Sequence, residues 1–71
     1  MVDREPGGGL LTPRELEILK LIAGGLTCKE VAQKVDLAPG TVERHIENAR
    51  HKMGARNRGH LITKALEAGE I

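Results

Sequence analysis

The residues best suited to bind a charged partner lie between positions 41 and 64. This stretch carries six basic residues against two carboxylates, a net charge of +4, whereas the rest of the chain sums to −3. The six are Arg44, Arg50, Lys52, Arg56, Arg58 and Lys64. Guanidinium and ammonium groups bind phosphate oxygens, and guanidinium groups also donate paired hydrogen bonds to guanine. Such a concentration is typical of a nucleic-acid contact, although a solvated helix face has the same composition.

Two capping boxes predict where the first two helices begin. In each, a threonine is followed three residues later by a glutamate, as in Thr12 with Glu15 and Thr27 with Glu30. The hydroxyl and the carboxylate satisfy backbone N–H groups that the first helical turn leaves without partners. We therefore expect one short helix to start after Thr12 and another after Thr27.

Two further helices are predicted after a tight turn. The third is expected to begin around Pro39 or Gly40 and to end at Gly54, and the fourth to run from Asn57 to Gly69. Apolar residues recur at helical spacing, and no strand pattern competes with them. The predicted core residues are Leu16, Leu19, Ile22, Leu26, Val31, Val35, Leu37, Val42, Ile46, Ala49 and Met53. The fold class is thus all-α, a compact four-helix bundle whose second and third helices form a helix-turn-helix.

Length and composition exclude several classes of protein. A chain of 71 residues forms one small domain, and it shows no nucleophile–base pair or glycine-rich phosphate loop, so the sequence indicates neither an enzyme nor a cofactor. The single cysteine, Cys28, forms no internal disulfide and suits a reducing cytoplasm. His45, His51 and His60 share no helical face, so no metal site is expected. No apolar run is long enough to span a membrane.

Five segments in order resemble one known family. They read LTPRE at 11–15, LKLIAGG at 19–25, KEVA at 29–32, TVERHIEN at 41–48 and KMGARNR at 52–58. Together they resemble the LuxR-type (GerE-like) DNA-binding domain of bacterial transcriptional regulators. The resemblance predicts such a domain over residues 10–71, preceded by a flexible tail at 1–9.

The resemblance implies sequence-specific binding to double-stranded DNA, with the third helix in the major groove. It also implies a homodimer on an inverted repeat, joined through the last helix, and RNA polymerase is a further candidate partner. The dimer candidates are Leu61, Lys64, Ala65 and Ala68. The base-reading candidates are Glu43, Arg44 and Glu47. The candidates for DNA-backbone contact are Thr41, His45, Asn48, Arg50, Lys52, Arg56, Arg58, Lys29 and Arg14.

The third helix departs from the family pattern in two ways. Glu43 and Glu47 put carboxylates on the side that would face DNA, and Ala38 with Pro39 replaces the serine-rich cap usual before this helix. Two alternatives therefore stay open. One is a promoter-binding module resembling the fourth region of a sigma factor, and the other is a protein-interaction module that keeps the fold without binding DNA.

Overall fold

The computed structural model describes residues 11–71, and within them four α-helices and no strand are present. Helix α1 spans Pro13–Ala23, α2 spans Cys28–Val35, α3 spans Pro39–Met53 and α4 spans Arg58–Glu67. The predicted all-α, four-helix class is confirmed. The predicted tail at 1–9 lies outside the described residues.

The helix starts follow the predicted caps. The Glu15 N–H donates to Thr12 Oγ1 at 3.1 Å, and the Thr12 N–H donates to Glu15 Oε1 at 2.8 Å. The box of Thr27 and Glu30 forms in the same way, at 3.2 and 2.8 Å. As predicted, Asn57 caps helix α4, and its Oδ1 accepts a hydrogen bond from the His60 N–H. Local side-chain chemistry therefore fixes three of the four helix starts.

Tight turns on both sides of α3 use left-handed backbone. Asp36, at the end of α2, has φ 58° and ψ 47°, a conformation that a short polar side chain tolerates better than a bulky one. The next residue, Leu37, donates its N–H to the Ala32 carbonyl at 3.0 Å and packs half-buried against the core. Gly54 ends α3 with φ 65°. The turn at Asp36 places α2 and α3 in the helix-turn-helix arrangement, and the turn at Gly54 leads from α3 toward α4.

Helix α3 lies at the centre of the molecule and packs against each of the other three helices. The largest fully buried side chains are Ile18, Leu19, Val31, Val42 and Leu61. Of the predicted core, Leu16, Ile22, Leu26, Leu37 and Met53 are only half-buried and pack around this centre. Ile18 is fully buried although its position was not predicted. The core therefore rests on α3.

The burial of Leu61 and Ala65 argues against two of the four predicted dimer contacts. Leu61 and Ala65 are 0% exposed, because α4 packs on α3 and turns both side chains into the core. A residue with no accessible surface in one protomer has no surface with which to contact a second protomer. Of the apolar residues in and just after α4, Leu66 is 55% exposed and Ala68 is exposed, and Lys64, one turn before Ala68, is half-buried.

Helix α3 alone begins without a side-chain cap, because Ala38 occupies the N-cap position. Its backbone, at φ −70° and ψ 147°, already has the extended conformation that a capping serine needs. We expect Ala38→Ser to raise the free energy of unfolding by about 0.5–2 kcal/mol, measured by urea denaturation. Ala23→Ser, at an exposed helix end where no N-terminal group can be capped, is the matched control. A gain no larger than that of the control would refute a capping defect.

Candidate nucleic-acid interface

One face of α3 is both exposed and polar. It lies opposite the buried side chains of Val42, Ile46 and Ala49, at the three- and four-residue spacing of one helix side. Its exposed members are Thr41, Arg44, Asn48 and His51. Within the described residues, Arg44 forms no hydrogen bond or ion pair, so its guanidinium group is available to an external partner. Glu43 lies on the edge of this face and is exposed as well.

The start of α3 has unused donors next to that face. Ala38 provides no capping side chain, and Pro39 has no N–H. The Thr41 and Val42 N–H groups donate to the Ala38 carbonyl at 3.0 and 3.1 Å. The Gly40 N–H and the Thr41 hydroxyl, both on exposed residues, therefore remain for a ligand. A helix N-terminus of this kind favours an anion such as a phosphate.

A charged cluster on the flank of α3 ties Glu47 to two neighbours. The Arg50 Nε donates to both carboxylate oxygens of Glu47 at 3.2 Å, and His51 Nε2 lies 3.2 Å from Glu47 Oε2. Hydrogen bonding from Arg50 is the main reason that the pKa of Glu47 lies below its ordinary value of 4.5. The same bond raises the pKa of Arg50. Glu47 is therefore ionised at neutral pH and held by its own helix.

Lys52 has a structural partner that the sequence did not predict. Its ammonium group donates to Glu15 Oε1 at 2.8 Å and to Oε2 at 3.1 Å. Glu15 is only 3% exposed, so this ion pair neutralises a nearly buried carboxylate. The charge of Lys52 thus joins α3 to the start of α1, and its contact with the DNA backbone stays a prediction.

Three other residues that were predicted to contact the DNA backbone form hydrogen bonds within the protein. Arg50 donates to the Ala55 carbonyl at 2.9 Å in addition to its pairing with Glu47. Arg58 donates to Cys28 Sγ at 3.3 Å, and Arg14 donates to Glu17 and to the Val35 carbonyl, each at 3.3 Å. Arg14 and Arg58 remain exposed, and exposed pairs of this kind are weak.

The remaining predicted residues are distributed around α3. Lys29, in α2, and Arg56, in the loop before α4, are exposed, and their side chains form no bond within residues 11–71. His45 is half-buried on the flank of α3. The structure therefore brings Thr41, Arg44 and Asn48 to one face, while Lys29 and Arg56 lie on other elements.

Two further features are absent from the described part of the chain. No group of three or more His, Cys, Asp or Glu residues there is arranged to hold a metal ion. No helix among residues 11–71 is both long and apolar enough to cross a membrane.

Comparison with known proteins agrees with this geometry. Residues 9–65 match the family described as bacterial regulatory proteins, luxR family. The chain is 37% identical over 62 residues to the spore germination protein GerE of Bacillus subtilis (strain 168), covering 87% of this chain and 84% of that protein. It is 47% identical over 58 residues to the transcriptional activator protein CarR of Pectobacterium carotovorum subsp. carotovorum. That match covers 82% of this chain but only 24% of CarR.

A solved structure shows the same architecture. The structure of the transcription factor GerE superposes with a TM-score of 0.82 at 33% identity, covering 84% of this chain and 90% of that one. The family match spans most of the chain, and the arrangement of α2 and α3 is that of the matched fold. The chain therefore belongs to the LuxR family of bacterial regulatory proteins, and with it to the transcriptional regulators, not to the enzymes.

Proposed function

We propose that this domain binds double-stranded DNA in a sequence-specific manner, with α3 in the major groove. The observation that carries the proposal is the exposed Arg44 at the middle of the polar face of α3, with no partner among the described residues. The major groove is wide enough to admit an α-helix. An arginine on such a helix donates two hydrogen bonds to the O6 and N7 atoms of guanine.

The residues around Arg44 would position the helix on the DNA. The Gly40 N–H and the Thr41 hydroxyl, at the uncapped start of α3, suit a phosphate at the edge of the groove. Asn48 lies one turn beyond Arg44 on the same face, and Glu43 on its edge remains a base-reading candidate. Base contacts would supply specificity, and phosphate contacts would supply register and most of the salt dependence.

The exposed positions on the remaining elements suit the flanking DNA backbone and a second protomer. Lys29, Arg56, Arg58 and Arg14 are the candidates for phosphate contact, with His45 at the flank of α3. We propose a homodimer through the surface that α4 leaves outside the core, with Lys64 and Ala68 one turn apart on one flank and Leu66 on the other. A two-fold axis through α4 would place two copies of α3 on an inverted repeat. The cytoplasm is the compartment that suits this function, and RNA polymerase remains a candidate partner.

The direct test is selection of bound sites from a random pool of duplex DNA. We expect enrichment of one short sequence, present as two inverted half-sites. Enrichment of a single unpaired half-site would contradict the dimer but not the base reading. Absence of any salt-sensitive binding to duplex DNA would overturn the proposal and favour a protein-interaction module.

Arg44→Ala is expected to weaken binding to the selected site by about 5- to 150-fold, because a bidentate contact to one guanine contributes about 1–3 kcal/mol of discrimination. Binding to random duplex should change much less. The measurement is a fluorescence anisotropy titration of both DNAs at several salt concentrations.

Lys29→Ala is the matched control, because Lys29 is exposed and its side chain has no bond within the described residues. If Lys29 contacts a phosphate, its loss should weaken both DNAs alike and reduce the slope of log affinity against log salt by about 0.9. Equal losses on both DNAs from Arg44→Ala would remove Arg44 from the base-reading residues.

A further inference from the structure

Arg50 is anchored away from the exposed polar face of α3. Its Nη1 donates to the backbone carbonyl of Ala55 at 2.9 Å, and Ala55 is itself buried in the loop after the helix. The Arg50 side chain is only 25% exposed, compared with 54% for its partner Glu47. A guanidinium group held in this way is fixed in direction before any partner arrives.

The other edge of the same guanidinium group holds the Glu47 carboxylate. Nε donates to both Glu47 oxygens at 3.2 Å, and Nη2 donates to Oε2. His51 Nε2 lies 3.2 Å from Oε2 as well. Since Arg50 is tied to Ala55, the Glu47 side chain is tied through it to the end of α3.

The contacts with Arg50 and His51 leave Glu47 able to accept further hydrogen bonds. Within residues 11–71, Oε2 faces Arg50 and His51, whereas Oε1 accepts only from Arg50 Nε. A carboxylate has about four acceptor positions, so Oε1 keeps at least one. Half of the side chain is also exposed. Glu47 is thus an ionised, oriented acceptor three residues along the helix from Arg44.

Such a group can accept hydrogen bonds but cannot donate one. In the major groove it is repelled by phosphates and by the N7 and O6 acceptors of guanine, whereas the cytosine N4 amino group is a donor. Adenine also has an amino group, but its N7 acceptor lies beside it. Orienting the carboxylate in advance reduces the conformational entropy lost on binding.

We propose that Glu47 reads the amino group of a cytosine, and that Arg50 is the positioning residue that fixes the carboxylate for this contact. This inference rests on the proposed DNA binding. It replaces the predicted contact of Arg50 with the DNA backbone, since the donors of Arg50 are directed to Ala55 and Glu47.

The test uses the duplex site selected by the unaltered protein, with each base pair changed in turn. At one position, cytosine should be preferred by roughly 10- to 100-fold, and Glu47→Ala, which removes both acceptor oxygens, should abolish that preference. Arg50→Met should reduce the same preference at least about threefold, since an oriented acceptor outperforms a mobile one. In the Glu47→Ala background, Arg50→Met should leave base preference unchanged, because Arg50 acts through Glu47.

Two further measurements separate positioning from phosphate contact and from a general loss of structure. Arg50→Met should leave the salt slope unchanged, whereas loss of a phosphate contact would lower it by about 0.9. In NMR titrations the pKa of Glu47 should return toward 4.5 in Arg50→Met. Arg50→Lys, which keeps the charge but not the planar fork, is the second variant and should lose part of the preference while remaining folded.

The outcomes distinguish this inference from the proposed function. If the unaltered protein selects a site and Glu47→Ala selects the same bases with the same ratios, Glu47 does not read a base. If Arg50→Met weakens every duplex alike and lowers the salt slope, Arg50 is a phosphate contact. If the unaltered protein selects no site, the proposed function fails, and this inference fails with it.

Discussion

Lys52→Met is expected to lower the free energy of unfolding by about 2–4 kcal/mol. The substitution leaves the Glu15 carboxylate, which is 3% exposed, without the ammonium group that now lies 2.8 Å from it. Glu15 retains its bond from the Thr12 N–H, but a nearly buried charge with one neutral donor is costly. A 71-residue domain has about 4–11 kcal/mol of stability in total, so the loss is a large fraction.

Urea denaturation followed by circular dichroism gives the measurement. Lys20→Met is the matched control, because Lys20 is exposed and has no bonded partner within residues 11–71, and its loss should change stability by less than about 0.5 kcal/mol. Glu15→Gln keeps an oxygen for the Thr12 N–H but removes the charge. In that background Lys52→Met should cost much less, and an undiminished cost there would show that Lys52 stabilises the fold by some other contact.

This ion pair also bears on DNA binding. Lys52 lies near the end of α3 and Glu15 in the first turn of α1, so the pair fixes how α3 sits on the rest of the domain. We expect a Lys52 variant to weaken all duplexes in proportion to its unfolded fraction, without changing the preferred base sequence. An altered base preference at conditions where the variant is fully folded would contradict this.

The helix starts could be predicted from the sequence because their chemistry is local. Thr12 with Glu15 and Thr27 with Glu30 are each three residues apart, and the bonds they form involve only the first turn of one helix. The cap at Asn57 is local in the same sense. The exposed polar face of α3 follows from spacing as well, since the helical period alone separates it from the buried stripe.

Contacts between elements could not be predicted in this way. Lys52 and Glu15 are 37 positions apart, so no local pattern links them. The sequence predicts a DNA-backbone contact for Lys52 and a capping box for Glu15, and neither prediction requires the other residue. Arg50 likewise has a side chain suited to phosphate, but in the folded domain its guanidinium group donates to the Ala55 carbonyl. Residue type identifies which side chains can be charged, whereas packing determines which partner each charged side chain contacts.

Helix α4 shows the same limit for apolar residues. Its apolar spacing predicts a buried side but does not say whether the burying partner is the same chain or a second one. The sequence was compatible with Leu61 in a dimer interface, but α4 packs on α3 and leaves Leu61 no exposed surface. The exposed Leu66 lies on the other side of the helix.

Leu61→Ala is accordingly expected to destabilise the single protomer by about 2–5 kcal/mol, through lost burial and the cavity that remains. Leu61 is among the largest fully buried side chains, and the neighbouring Ala65, also 0% exposed, has no larger side chain with which to fill the space. Urea denaturation at several protein concentrations measures the effect. The loss should be the same at every concentration, because the side chain acts within one chain.

Leu66→Ala is the matched control and makes the distinction sharp. The same substitution at a side chain that is 55% exposed should change protomer stability by less than about 0.5 kcal/mol. If the exposed side of α4 forms the dimer, Leu66→Ala should instead weaken self-association in analytical ultracentrifugation. The reverse pattern, in which Leu61→Ala abolishes association but leaves protomer stability intact, would require α4 to turn Leu61 outward. Such a rotation would also expose Ala65, so it is incompatible with the packing of α4 on α3, which holds α3 in place.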